Sequence, residues 1–94
     1  MFVITLRFAD KTNAPRFMDG HNAWIKQGFD DGVFLLVGSL QPNAGGAILA
    51  HNASLEEIEA RVQDDPFVAE GVVSAEVLAI APGRTDDRLA FLKA

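Results

Sequence analysis

Apolar residues alternate with other residues at the start of the chain, between Phe2 and Phe8. This period of two places successive side chains on opposite faces of a β-strand. The alternation therefore predicts a first strand with one entirely apolar face, formed by Phe2, Ile4, Leu6 and Phe8.

The spacing of apolar residues changes to three and four between Pro15 and Gly28, which is the pattern of one helix face. One ionisable side chain, that of His21, lies in the middle of this face and is predicted to point towards the core. Gly28 and the cluster at 30–32 predict the end of the helix. The face is formed by Ala14, Phe17, Met18, His21, Trp24, Ile25 and Gly28.

Three later segments predict the remaining strands. The continuous apolar run Val33–Val37 predicts a short strand that is covered on both faces and ends at Gly38-Ser39. After a turn rich in glycine and asparagine, Ala47–His51 is predicted to return as an antiparallel third strand. Val72–Ile80, dominated by valine, leucine, isoleucine and alanine, predicts the last strand.

The second helix is predicted to begin at a capping box. Ser54 is followed three residues later by Glu57, and a narrow apolar stripe lies behind the box. The helix is predicted to break before Pro66, because a proline disfavours the helical conformation of the preceding residue. A further short helix is predicted at about 85–93, with acidic residues at its start and a lysine at its end.

The predicted order of elements, strand, helix, strand, strand, helix and strand, indicates a ferredoxin-like α+β fold. Four antiparallel strands would then form one sheet with both helices on one face. The whole chain, residues 1–94, is predicted to form a single domain. Because the other face of the sheet is also predicted to be apolar, we expect two copies to pair through it as a homodimer.

Composition narrows the classes of partner. The formal net charge is −5 and the basic residues are scattered, which argues against a nucleic-acid partner. No apolar run approaches the roughly 18 residues of a membrane span. The chain has no cysteine and starts without a basic or cleavable leader, so we predict a cytoplasmic location and no disulfide. The predicted partner is a small molecule or another protein.

His21 and Asp65 each have two interpretations. A buried histidine can satisfy a backbone carbonyl, or it can act as a general base, since histidine exchanges a proton near neutral pH. Asp65, before Pro66, can cap a helix, and the same carboxylate can orient an imidazole. With the two helices side by side, we predict that the imidazole and carboxylate meet within roughly 2.6 to 3.2 Å or through one water.

Three more residues are candidates for binding a ligand. Ser39 follows a glycine at the predicted end of the second strand, where its hydroxyl can orient a ligand or simply end the strand. Trp24 and Phe67, like Phe17, can form walls for a flat aromatic ligand or pack in the core. Two histidines and no cysteine show no spacing typical of metal ligands, so no metal site is predicted, and no cofactor is predicted either.

Several segments together resemble the YCII-related family, over nearly the whole chain. The resemblance implies a dimeric α+β barrel of ferredoxin-like subunits, in which His21 and Asp65 match the His–Asp pair to which the family's catalysis is attributed. The matching segments are Phe2-Val3-Ile4, Met18-Asp19-Gly20-His21, Leu36-Val37-Gly38-Ser39-Leu40, Asp64-Asp65-Pro66-Phe67-Val68 and the valine-rich last strand.

One branch of this family is similar to dehydrochlorinases that act on chlorinated hydroxyhydroquinones in aromatic degradation, and the related barrel fold includes muconolactone isomerases. The resemblance therefore implies a lyase. In it, His21 removes a proton from a small hydroxylated ring, Asp65 holds the imidazole and Ser39 helps to place the substrate. An isomerase is the second reaction class. The alternative is a small-molecule-binding or accessory protein in which the pair is only structural.

Overall fold

The chain folds into a four-stranded antiparallel sheet with its helices packed on one face. The structure is a computed structural model, and it describes residues 1–93. The strands lie in the order β2-β3-β1-β4, and every neighbouring pair is antiparallel. The predicted ferredoxin-like α+β fold is therefore confirmed. The strands are β1 (Phe2–Phe8), β2 (Phe34–Leu40), β3 (Gly45–Ala50) and β4 (Val73–Ala79).

The helices connect these strands largely as predicted. They are α1 (Ala14–Asp30), α2 (Leu55–Gln63) and the single turn α3 (Pro66–Ala69). The capping box is present, because the Ser54 hydroxyl accepts from the Glu57 N–H and the Glu57 carboxylate accepts from the Ser54 N–H. A 3₁₀ helix at Asp87–Lys93 occupies most of the predicted C-terminal helical segment. No helix within residues 1–93 is long and apolar enough to span a bilayer.

The prediction that β2 ends at Gly38-Ser39 is wrong. Both residues remain paired with β3, Gly38 opposite Ala47 and Ser39 opposite Gly46, and the strand continues to Leu40. The third strand consequently begins two residues earlier than predicted and ends before His51. Local turn composition suggested the wrong boundary, because the pairing partner across the sheet determines where β2 ends.

The core lies between the helices and the sheet face that carries alternate residues of β1. Phe2, Ile4 and Leu6 are buried as predicted, and Phe8, at the end of the strand, is only half-buried. Buried residues from all four strands and from α1, α2 and α3 join them in one continuous cluster. The three helical segments are thereby fixed against the same face of the sheet.

The opposite face of the sheet is open in a single chain. Leu36, Leu49, Val3 and Leu78 are aligned across its four strands. Leu36 is 52 % exposed and Leu78 is 45 % exposed. The second strand, predicted to be covered on both faces, is thus covered on one face only within one chain.

Gly28 lies inside α1 and does not end it, because the helix continues to Asp30. At Gly28 the helix packs directly on β2, and a Cβ atom there would lie 2.1 Å from the Phe34 ring. The glycine predicted to end the helix is instead a point where α1 packs directly against the sheet.

Gly28→Ala is expected to destabilise the protein by about 1 to 3 kcal/mol, although alanine favours helices, because its methyl group and the Phe34 ring would compete for one space. Gly83→Ala is the matched control, since a Cβ at Gly83 would have no neighbour within 4 Å. The control should stay within about 0.5 kcal/mol of the parent protein. Urea unfolding measures both values, and a Gly28→Ala variant as stable as the control would contradict this packing.

Candidate functional site

His21 of α1 and Asp65, which precedes α3, meet directly. The imidazole Nδ1 lies 2.8 Å from Asp65 Oδ1, although the two residues are 44 positions apart in sequence. The distance falls within the predicted range for a direct hydrogen bond. The predicted contact is confirmed, and the catalytic role of the pair stays a prediction.

Asp65 is held in place by its position as the N-cap of α3. Its Oδ1 accepts the Phe67 backbone N–H at 3.0 Å, and Pro66 occupies the first helical turn, where its missing N–H costs no hydrogen bond. The same oxygen also faces the imidazole. Capping and orientation, the two interpretations of Asp65, are therefore performed by one atom.

The pair is placed at the border between the core and a cavity. The Asp65 side chain is 0 % exposed and the His21 side chain is 13 % exposed. Within residues 1–93, Asp65 Oδ2 has no hydrogen-bond partner. An ionised carboxylate only accepts hydrogen bonds, so the neutral tautomer that can donate to it is the one with the proton on Nδ1. In that tautomer Nε2 is able to accept a proton.

Aromatic rings fix the plane of the imidazole. Phe67 stacks on it with 3.9 Å between ring centroids and 6° between planes. Trp24 lies further away, with 6.0 Å between centroids and 25° between planes. The imidazole thus lies between its hydrogen bond to Asp65 and the parallel ring of Phe67.

The imidazole lines a cavity of about 340 Å³ between α1 and the sheet. This volume is at the small end of the range for ligand sites, which suits a single small ring. Two predicted ligand-binding residues, Ser39 and Phe67, line the same cavity as His21. Ser39 reaches it because β2 continues past the predicted end. Apolar walls are formed by Leu6, Phe8, Met18, Ile25, Val37, Ile48 and Val73.

Trp24 does not line this cavity. Its indole N–H donates to the Arg61 carbonyl at 2.9 Å, and its ring meets Phe34 edge to face. Trp24 therefore packs between α1 and α2 and does not contact the cavity beside His21, and its role in ligand binding stays a prediction. Phe17 is likewise packed against the core rather than part of the cavity wall.

Asn22 lines the cavity and was missed by the sequence analysis. Helix spacing places it on the polar side of α1, away from the apolar face that carries His21. Its position next to His21 in the sequence was the one feature that could have indicated a place in the cavity. Its amide adds a second neutral hydrogen-bonding group to the cavity, in addition to the Ser39 hydroxyl.

An ion pair on the other side of α1 fixes α2 relative to it. The Arg61 guanidinium lies 2.9 Å from Asp31 Oδ2, just after the end of α1. The hydrogen bonds from Arg61 and then from Gln27 hold the pKa of the Asp31 carboxyl below its ordinary value.

Within residues 1–93, no group of three or more histidine, aspartate or glutamate side chains is arranged to hold a metal ion.

Comparisons with known proteins agree on the fold. A solved structure of 5-chloro-2-hydroxyhydroquinone dehydrochlorinase (TftG) from Burkholderia phenoliruptrix AC1100, in complex with 2,5-dihydroxybenzoquinone, is similar to this chain with a TM-score of 0.64. The likeness covers 88 % of this chain and 96 % of that one, at 16 % sequence identity, and so shows the shared fold. No curated protein matches the sequence. The profile of the YCII-related domain matches residues 1–81, and the chain therefore belongs to the YCII-related family.

Proposed function

We propose that this protein is a small-molecule lyase that uses His21 as a general base on a hydroxylated aromatic ring. The observation that carries the proposal is the hydrogen bond between His21 Nδ1 and Asp65, beside a cavity that His21 lines. A base of this kind needs an unprotonated nitrogen, a fixed ring and a counter-charge for the imidazolium that forms. The pair supplies all three.

The proposed reaction is the loss of HCl from a chlorinated hydroxyhydroquinone or a similar intermediate of aromatic degradation. His21 Nε2 takes a hydroxyl proton, while the buried Asp65 carboxylate stabilises the resulting imidazolium. One hydroxyl proton is moved to the chlorine-bearing carbon, which becomes tetrahedral as the ring takes its keto form. A second hydroxyl then loses its proton, and chloride leaves with both electrons of the C–Cl bond, so that the net loss is one proton and one chloride. The ring thereby becomes a hydroxyquinone, and no external oxidant is consumed.

The cavity supports an aromatic ligand of this size. Its walls are mostly apolar, as required for the faces of a ring, and Ser39 and Asn22 can form hydrogen bonds with ring hydroxyls. The structurally similar TftG is a dehydrochlorinase and was solved with a dihydroxybenzoquinone. That ligand is a small ring with polar groups at its edge, which is the class of molecule we assign to this cavity.

A non-catalytic binding protein is the second candidate. The observation that favours it is the capping role of Asp65, because this contact alone explains the position of the carboxylate. Under this alternative the same rings would bind beside His21 and leave unchanged.

A lyase and a non-catalytic binding protein are distinguished by incubating the protein with 5-chloro-2-hydroxyhydroquinone under anaerobic conditions. Chloride release and the absorbance of the quinone are followed together, and a lyase is expected to produce them in equal amounts. Binding of 2,5-dihydroxybenzoquinone without any chloride release would support the binding protein. In a separate incubation with a lactone, conversion of the lactone without chloride release would support an isomerase.

We also propose that the open sheet face pairs with a second copy of the chain. The aligned row of Leu36, Leu49, Val3 and Leu78 crosses all four strands and leaves a large apolar surface in water. A two-fold axis through this face would place the same row on both partners, so that each apolar patch covers the other.

Sedimentation at micromolar concentration is expected to give about twice the chain mass of 10.1 kDa. Leu78→Asp should produce monomers, because it places a charge in the apolar row, at the end that lies on β4. Leu89→Asp is the control, since Leu89 is 46 % exposed but lies in the C-terminal 3₁₀ helix. A parent protein that sediments as a compact monomer would contradict the proposal.

A further inference from the structure

Phe67 contacts both members of the His–Asp pair. Its ring stacks on the imidazole with 3.9 Å between centroids and 6° between planes. Its backbone N–H donates to Asp65 Oδ1 at 3.0 Å, the same oxygen that faces His21 Nδ1. The side chain is 4 % exposed, so the surrounding core holds the ring in place.

The stacked geometry limits what Phe67 can do for a ligand. One face of its ring is covered by the imidazole, and that face is therefore not free to stack on a substrate. A single hydrogen bond to Asp65 leaves the ring plane free to tilt, and a large tilt takes Nδ1 away from the carboxylate. A parallel ring at van der Waals distance removes this freedom, because tilting the imidazole would drive it into the Phe67 ring.

We propose that Phe67 is a positioning residue for His21. It holds the imidazole plane so that Nδ1 stays on Asp65 and Nε2 stays towards the cavity, and it does not act mainly as a substrate contact. The aromatic face also favours the imidazolium formed when His21 takes a proton. The proposal rests on the proposed function only for its effect on turnover, because the positioning itself exists in the ligand-free protein.

The positioning is tested first without any ligand, by long-range ¹H–¹⁵N NMR of the His21 ring. The parent protein is expected to show one neutral tautomer, with the proton on Nδ1, and ring protons shifted upfield by the Phe67 ring current. Phe67→Leu should lose this single tautomer and show a mixture. Phe34→Leu is the matched control, since Phe34 is equally buried but does not line the cavity, and it should keep the parent tautomer.

Turnover gives the second test, once the parent protein is shown to release chloride. Phe67→Leu is expected to lower kcat by roughly 10- to 100-fold with KM unchanged, because a misplaced base slows the chemical step without weakening binding. A substrate-contacting Phe67 would instead raise KM. If the parent protein lacks turnover, the proposed function fails, and the tautomer measurement still decides the role of Phe67.

Three results would overturn the positioning role. They are a Phe67→Leu variant with the parent tautomer, an increase in KM alone, and His21 ring protons without an upfield shift in the parent protein. If Phe67→Leu does not fold, Phe67→Met is measured in its place, because its flexible side chain fills similar volume without a ring. The ring-current shift needs no variant and can contradict the proposal by itself.

Discussion

Replacement of His21 by alanine is expected to lower turnover by roughly 10²- to 10⁴-fold, which is the usual contribution of a positioned acid–base group. The imidazole is the one ionisable group among the residues that line the cavity, within the part of the chain that the structure describes. None of the other side chains that line the cavity can take over the proton. The rate is measured as chloride release at saturating substrate.

The matched control is His51→Ala, which removes the other histidine of the chain. His51 lies after β3, where its ring meets Phe91, and it does not line the cavity. Its loss should leave turnover within about twofold of the parent value. Thermal melts of both variants separate a loss of folded protein from a loss of chemistry. Equal losses of rate in the two variants would mean that the assay does not report on the cavity beside His21.

Asp65→Asn is expected to lower turnover by roughly 10- to 100-fold while costing the fold less than about 1 kcal/mol. Asparagine still caps α3 through its carbonyl oxygen, so the N–H of Phe67 keeps its partner. The side chain no longer carries the charge that stabilises the imidazolium. Replacing a charge-assisted hydrogen bond removes about 1.5 to 3 kcal/mol, which corresponds to the stated loss of rate.

Asp65→Ala provides the comparison, because it removes both roles of the carboxylate. The cap on α3 and the partner of His21 Nδ1 are lost together, and the free energy of unfolding should fall by about 1 to 3 kcal/mol. Urea unfolding and chloride release are measured on both variants. If Asp65→Asn keeps the parent rate, Asp65 is a structural cap and not part of the proposed mechanism.

The alternation in β1 and the helical spacing around His21 predicted these two elements, because each pattern has only one periodic interpretation, and the order of all six elements then predicted the fold. The contact between His21 and Asp65 was also predictable, since a ferredoxin-like layout places the helices side by side. Local chemistry and overall topology agree at these positions. The contact can therefore be predicted from the sequence, although the two residues are 44 positions apart.

Predictions from local composition failed where tertiary contacts decide the outcome. Gly28 has the composition of a helix end, yet packing against Phe34 requires a glycine inside α1. Ser39 has the composition of a turn, yet pairing with Gly46 keeps it in β2 and brings it to the cavity. Trp24 had two interpretations, ligand contact and core packing, and its indole N–H donates to the Arg61 carbonyl. None of these partners can be identified from the neighbouring sequence.

Chemical rescue of the His21→Ala variant tests directly whether the imidazole of His21 is the general base. Removing the side chain leaves a space of imidazole size between Phe67 and Asp65, and free imidazole can enter it and accept the proton. Chloride release by the variant is measured while the imidazole concentration is raised into the millimolar range. We expect a rate that is low without imidazole and rises to a plateau with it, while Asp65→Ala gains nothing. A folded His21→Ala variant that releases chloride at the parent rate without imidazole would show that His21 is not the base.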